Sequence, residues 1–114
     1  MSGQGALTGL KVIDLSRVLG GPFAGQVLGD HGAEVIKIEP PGGDDTRAFG
    51  PHLDGVSTYY LSANRNKKSL ELDLKKPADQ AVLHQLVATA DVVLHNNRPG
   101  VAERLGCDEA TLRA

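Results

Sequence analysis

Three groups of residues in this chain have the types and spacing to hold a polyanion. Asn64-Arg65-Asn66-Lys67-Lys68 groups three cations with two amides, Lys75 follows a run of alternating leucines, and Asn96-Asn97-Arg98 precedes Arg104 by six residues. Guanidinium and ammonium groups bind phosphate or carboxylate through charge-assisted hydrogen bonds, and neighbouring amides fix the geometry. The first group reads equally well as a solvated basic turn. A fourth stretch, Ser16 to Pro22, turns the chain through Gly20 and Gly21 after an apolar run, where α/β folds place ligands. Glu39, at the end of the next apolar run, stands where a ribose-binding acid would stand. The glycines at 20, 21 and 25 do not form G-x-G-x-x-G, however, and Gln26-Val27 occupies the place of a phosphate-loop Lys-Ser/Thr pair. His31, His52, His84 and His95 share no metal-ligand spacing, Asp44-Asp45 sits in a Gly-Pro segment suited to solvated acids, and Cys107 stands alone. No catalytic residue and no metal site is assigned.

Elements that could position these residues follow from the hydrophobic pattern. Leu10 to Leu15 reads as a strand buried on both faces. Pro22 suits the first position of a helix carrying Phe23, Ala24, Val27 and Leu28 at helical spacing, with Gly32 as its left-handed cap. Ala33 to Glu39 is a second strand, and so short a strand, helix and strand connection pairs its strands in parallel with a right-handed crossover. Pro40 to His52 reads as a long surface loop, and Ser57 caps a short helix through about Ala63 that buries one or both of Tyr59 and Tyr60. Ser69 to Leu74 alternates as a third strand, with Leu70, Leu72 and Leu74 on one face. Pro77 opens a helix whose stripe is Val82, Leu83, Leu86, Val87 and Ala90. Asp91 to Leu94 is a fourth strand, Asn96 to Gly100 a turn, Val101 to Leu105 a short helix, and Asp108 the cap of a last one.

The chain has 114 residues, enough for one small domain, with 23% charged and 40% apolar residues and a formal net charge of −2. Nothing in that balance points to nucleic acid. Charge is locally uneven: residues 34–54 hold five acids against two bases, and 64–76 hold five bases against two acids. The start, MSGQGALTG, has neither a basic region nor an apolar core and no run is long enough to span a bilayer, so the expectation is a cytoplasmic protein with no membrane partner. Residues 1–9 read as a flexible N-terminus and 10–114 as an α/β segment.

Three stretches, LKVIDLSRVLGGPFAGQVLGDHGAEVIKIEPPGGDDTR, YYLSANRNKKSLELDLKKP and ADVVLHNNRPGVAERLG, together resemble the N-terminal part of the family III coenzyme A transferases. That group includes formyl-CoA transferase and the carnitine CoA-transferases, with α-methylacyl-CoA racemase as a relative. The resemblance runs from about Leu10 to Gly106 and implies a Rossmann-like parallel sheet with flanking helices, one part of a domain in a larger interlocked-dimer enzyme. Carried onto this sequence, it implies CoA binding at Val18 and Leu19, at Leu72, Asp73, Leu74 and Lys75, at Asn96, Asn97 and Arg98, and at Arg104. Lys75, Arg98 and Arg104 suit the pyrophosphate and 3′-phosphate of CoA, and the leucines suit its adenine. Three positions depart from the family: Leu19 replaces a glutamine near the thioester, Pro40 an arginine, and Asn97 an aromatic residue.

The implied activity is transfer of CoA between an acyl-CoA thioester and a carboxylic acid, with CoA as substrate and no permanently bound cofactor. In the family an aspartate downstream of this region is the nucleophile, forming a mixed anhydride and then an aspartyl-CoA thioester. The resemblance therefore implies a CoA-binding portion that does no chemistry by itself and that self-associates, as a homodimer, in the full-length enzyme. An acyl-CoA racemase fragment and a noncatalytic α/β interaction module are the alternatives.

Overall fold

The computed structural model describes residues 5–113. Strand β1 (Lys11–Asp14) leads through a turn into helix α1 (Gly20–Asp30) and strand β2 (Glu34–Glu39). A 3-10 turn (Asp45–Ala48), a two-residue pair of strands β3 (His52–Leu53) and β4 (Val56–Ser57), and helix α2 (Thr58–Ala63) come next. Strand β5 (Lys67–Glu71), helix α3 (Pro77–Val87), strand β6 (Val92–Leu94) and the short helices α4 (Val101–Arg104) and α5 (Glu109–Arg113) complete the chain. The four long strands form a wholly parallel sheet in the order β5-β2-β1-β6. The α/β parallel architecture expected from sequence is present.

Side chains alternate across the sheet, and its two faces differ chemically. Ile13, Leu15, Ile38 and Leu72 point to one side and pack with Leu83 of α3, Ala102 of α4 and Cys107. On the other side only Val12, Ala33 and Val35 form an apolar cluster. Toward the carboxyl ends that face turns polar. Cα register sets Asp14 beside Lys37 and Lys37 beside Ser69, so these groups share one face with Lys67 and Glu39. Asp14, Lys37 and Glu39 are all buried.

Helix α1 covers this polar face and approaches it closely at two glycines, Gly25 and Gly29. Pro22, Gly25, Gln26 and Gly29 are buried, whereas Phe23 is 54% exposed and Val27 is 38% exposed. The apolar set expected to mark its inner face is therefore mostly outside, and only Leu28 packs against the core. The reason is proximity: a Cβ on Gly25 would stand 2.7 Å from Asp14 Oδ2, and one on Gly29 would stand 3.0 Å from the Asn66 carbonyl. Gly25→Ala should thus destabilise the protein, because a buried clash of 1–3 kcal/mol outweighs the roughly 1 kcal/mol gained in helix propensity. A lower urea midpoint at unchanged m-value would show it.

Several boundaries differ from the sequence reading. Helix α1 begins at Gly20 and not at Pro22. Strand β5 begins at Lys67, two residues before the expected Ser69, and ends at Glu71 because its partner β2 ends opposite it at Glu39. The loop expected from Pro40 to His52 holds the 3-10 turn, in which the Asp44 side chain accepts from the Thr46 amide, and leads into the β3–β4 hairpin. The expected flexible segment 1–9 falls partly outside the described residues. Within it, the Leu7 amide donates to the His31 carbonyl and Leu7 packs beside Val12 and Val35.

Candidate functional site

The carboxyl ends of β1, β2, β5 and β6 open onto a cleft of about 550 Å³, on the apolar side of the sheet. Leu15, Ile38, Leu72, Leu74 and Leu105 supply its apolar wall, Pro40 and Pro41 border it, and Arg17, Lys75 and Arg104 bring positive charge. This is the end at which parallel sheets bind ligands, since each strand delivers its following turn to the same place.

Of the twelve lysines and arginines, Lys37, Arg47, Arg65, Lys67, Lys68 and Arg113 are each within 3.0 Å of a carboxylate oxygen. Among the described residues no carboxylate pairs with the other six, and three of those, Arg17, Lys75 and Arg104, line the cleft, while Lys11, Lys76 and Arg98 lie outside it. The Leu72–Lys76 segment that carries Lys75 is held by local acids. The Asp73 amide donates to Asp79 Oδ2 at 2.7 Å, and the Lys75 amide donates to Asp73 Oδ1 at 3.1 Å.

Of the residues implicated from sequence, Leu72, Asp73, Leu74, Lys75, Asn97 and Arg104 line the cleft. Val18, Leu19, Asn96 and Arg98 do not. Val18 and Leu19 lie on the turn after β1 and are 37% and 49% exposed. Arg98 is exposed in the turn after β6. Asn96 is engaged with backbone: its Nδ2 donates to the Arg17 carbonyl at 2.8 Å, and its Oδ1 accepts from the Arg17 amide at 3.0 Å. Arg17, Pro40, Pro41 and Leu105 were missed as lining residues. Arg17 had a signal, since it directly follows the first strand.

The basic group at 64–68 divides between the interior and the solvent. Lys67 is in β5 with its side chain 1% exposed, and its ammonium donates to Asp14 Oδ2 at 2.7 Å, the Pro22 carbonyl at 2.8 Å and Asn64 Oδ1 at 3.0 Å. Arg65 pairs with Asp30 and Lys68 with Glu34. Lys67 secures helix α1 to the sheet from within, whereas Arg65 and Lys68 form solvated surface pairs.

A buried polar network underlies the turn at Arg17. Asp14 Oδ1 accepts from the amide and hydroxyl of Ser16, and Lys37 Nζ donates to the Ser16 carbonyl at 3.3 Å. Lys37 also pairs with Asp44 at 2.9 Å, both side chains being fully buried, and Asp44 Oδ2 accepts from the Val18 amide at 3.3 Å. Val18 has φ of 71°, a left-handed conformation that is costly for a β-branched residue. Side-chain hydrogen bonds to three successive residues hold it there.

Glu39 is the second node. It receives both ends of the Arg47 guanidinium at 2.8 Å, the Tyr60 hydroxyl at 3.0 Å, the Asp44 amide at 2.7 Å and the Ser69 hydroxyl. Burial pushes its pKa up, but the hydrogen bonds from Arg47, Ser69, Asp44 and Tyr60 outweigh it and hold the pKa at about 2. Burial pushes the Tyr60 hydroxyl well above its ordinary range, assisted by the Glu39 charge. Glu39 is thus committed to the fold and not open to a ribose. Cys107 is buried at the cleft floor, and burial raises the pKa of its thiol, the opposite of what a nucleophile needs.

A parallel α/β sheet with a cationic, half-apolar cleft at its carboxyl ends defines a domain suited to a phosphorylated ligand with an apolar portion. Residues 7–114 match CoA-transferase family III, and the chain belongs to that family. It is 51% identical over 104 residues to acetyl-CoA:oxalate CoA-transferase of Acetobacter aceti, a match covering 90% of this chain and 27% of that protein. It is 53% identical over 102 residues to succinyl-CoA:glutarate CoA-transferase of Homo sapiens, covering 88% of this chain and 23% of that protein. The crystal structure of a CaiB/BaiF family protein from Brucella suis superposes with a TM-score of 0.90 at 41% identity, over 96% of this chain and 30% of that one. The chain spans about a quarter of the length of the curated relatives it matches. Among the described residues no helix is long and apolar enough to cross a membrane.

Proposed function

We propose that this chain supplies the CoA-binding cleft of an enzyme that transfers CoA between an acyl-CoA thioester and a carboxylic acid. The observation that carries the reading is the convergence of Arg17, Lys75 and Arg104, unpaired with any described carboxylate, on a cleft walled by leucines. CoA joins anionic phosphates to an adenine ring and an uncharged pantetheine arm, and it matches that division of charge and apolar surface. Lys75 and Arg104 hold phosphate oxygens. Leu72, Leu74 and Leu105 pack against the ring or the arm.

Residues 1–114 bind and orient the thioester in this reading, and the nucleophilic carboxylate comes from another part of the enzyme. Self-association is supported by apolar side chains on the covering elements: Leu19, Phe23 and Leu61 are each about half exposed.

Titration calorimetry of CoA into the 114-residue chain tests the binding. Lys75→Ala combined with Arg104→Ala should weaken it by about 100-fold or more, since each charge-assisted contact is worth about 1.5–3 kcal/mol. Absence of heat at millimolar CoA, together with unmoved amide signals at Lys75 and Arg104, would sink the reading. A protein that self-associates with concentration and ignores CoA would instead be an interaction module.

A further inference from the structure

We propose that Arg17 is an additional ligand-contact residue of the cleft, binding a pair of anionic oxygens on the CoA ester, and that Asn96 is its positioning residue. The proposal rests on the CoA reading above and deepens it.

The first support is placement. Arg17 lines the cleft, is exposed, and pairs with no carboxylate among the described residues. A guanidinium presents its donors in a planar fork that fits the two oxygens of a phosphate or a carboxylate. A cation left unpaired at the rim of an apolar cleft keeps that capacity for a ligand.

The second support is the way its backbone is fixed. One side chain, Asn96, from the turn after β6, accepts from the Arg17 amide at 3.0 Å and donates to the Arg17 carbonyl at 2.8 Å. The residues on either side are also held: the Ser16 amide by Asp14 at 2.9 Å, and the Val18 amide by Asp44 at 3.3 Å. Both carboxylates are themselves paired with buried lysines, Lys67 and Lys37. Arg17 therefore projects from a peptide whose orientation is set before any ligand arrives, which lowers the ordering cost of binding. Asn96 does not line the cleft, and both ends of its amide face the Arg17 backbone. It acts on the ligand through Arg17.

The anionic oxygens have two sources, a phosphate of CoA or the free carboxylate of a dicarboxylic acyl group. CoA, succinyl-CoA and butyryl-CoA separate them, because only succinyl-CoA carries the second carboxylate. Each is titrated calorimetrically into the parent chain, Arg17→Ala, Arg17→Lys, Asn96→Ala and the Arg17→Ala/Asn96→Ala double variant. Arg17→Ala should weaken binding roughly tenfold or more, the scale of a lost charge-assisted bond, with Arg17→Lys recovering part of it. Equal loss for all three ligands assigns the contact to phosphate, and loss confined to succinyl-CoA assigns it to the acyl carboxylate.

Asn96→Ala should also weaken binding, yet change affinity less than twofold when Arg17 is already alanine. Urea midpoints of Arg17→Ala and parent should agree, so that its binding loss reports contact and not folding. Affinities of Arg17→Ala within twofold of parent for all three ligands overturn the contact. A full Asn96→Ala penalty in the double variant overturns its positioning role. A parent chain that binds none of the three overturns this inference and the CoA reading together, whereas binding that depends on Lys75 and Arg104 but not on Arg17 overturns this inference alone.

Discussion

Lys67→Met should cost 3–5 kcal/mol at neutral pH, a large share of the 5–15 kcal/mol that stabilises a typical domain. The side chains of Lys67 and Asp14 are 1% and 0% exposed, and the ammonium uses all three of its hydrogens, on Asp14, on the Pro22 carbonyl and on Asn64. Methionine fills similar volume but leaves the Asp14 carboxylate buried with only Ser16 as partner. Burial lowers the Lys67 pKa even though Asp14 opposes the shift, so desolvation weighs heavily on the pair. The expected loss is therefore the penalty of an orphaned carboxylate and not a measure of net attraction. Adding Asp14→Asn to Lys67→Met should restore 1 kcal/mol or more, since it removes the buried charge. Urea unfolding of the four proteins in the cycle reads both quantities. A single-variant loss below about 1 kcal/mol would show that the pair is open to water.

Most of the parallel sheet was legible because its signals are local. Val12 and Ile13, the glycines before α1, Pro77 at the start of α3 and the stripe containing Leu83 each report the conformation of their own segment. The leucines of Leu72 to Leu74 and the cations Lys75 and Arg104 were likewise readable as a ligand-binding group, and they do line one cleft. What was not legible depends on partners distant in sequence. Lys67 looks like part of a basic turn until β5 is paired with β2 and its ammonium meets a carboxylate 53 residues away. Phe23 and Val27 look like an inner face until Gly25 and Gly29 prove to be the residues that let α1 approach Asp14 and Asn66. Asn96 reads in sequence as one amide among several near cations, and only the fold brings it to the Arg17 backbone, 79 residues away. The β3–β4 hairpin is a different case. Leu53-Asp54-Gly55-Val56 carries the Asp-Gly pair of a two-residue hairpin turn, and both turn residues have positive φ, 51° and 80°. That signal was local and was overlooked within a loop-rich stretch.

Acidification should remove about 3 kcal/mol of stability through Glu39 alone. Its carboxyl is held near pKa 2 in the folded protein against an ordinary glutamate value of 4.5, and each unit is worth 1.36 kcal/mol. The folded pKa lies below the unfolded one, so the contribution is complete above about pH 5.5 and declines as pH falls, ending near pH 2. The lowered pKa of Asp44, whose burial is opposed by hydrogen bonds from Thr46 and Lys37, acts in the same direction. Unfolding free energies of the parent and Glu39→Gln at pH 7, 5, 4 and 3 isolate the Glu39 part. The parent should lose its advantage over the variant progressively across that range, and parallel curves would show that Glu39 titrates normally. The loss reaches the cleft as well. Glu39 is followed by Pro40 and Pro41, which border the cleft, and its oxygens hold Arg47, Tyr60 and the Asp44 amide, which together with the Lys37–Asp44 pair tie residues 44–60 to the sheet. Protonation of Glu39 should therefore free the proline border before the apolar core opens. CoA affinity should fall only as the pH approaches 2, where Glu39 of the folded protein takes up its proton, while Leu83 and its neighbours remain protected from hydrogen exchange.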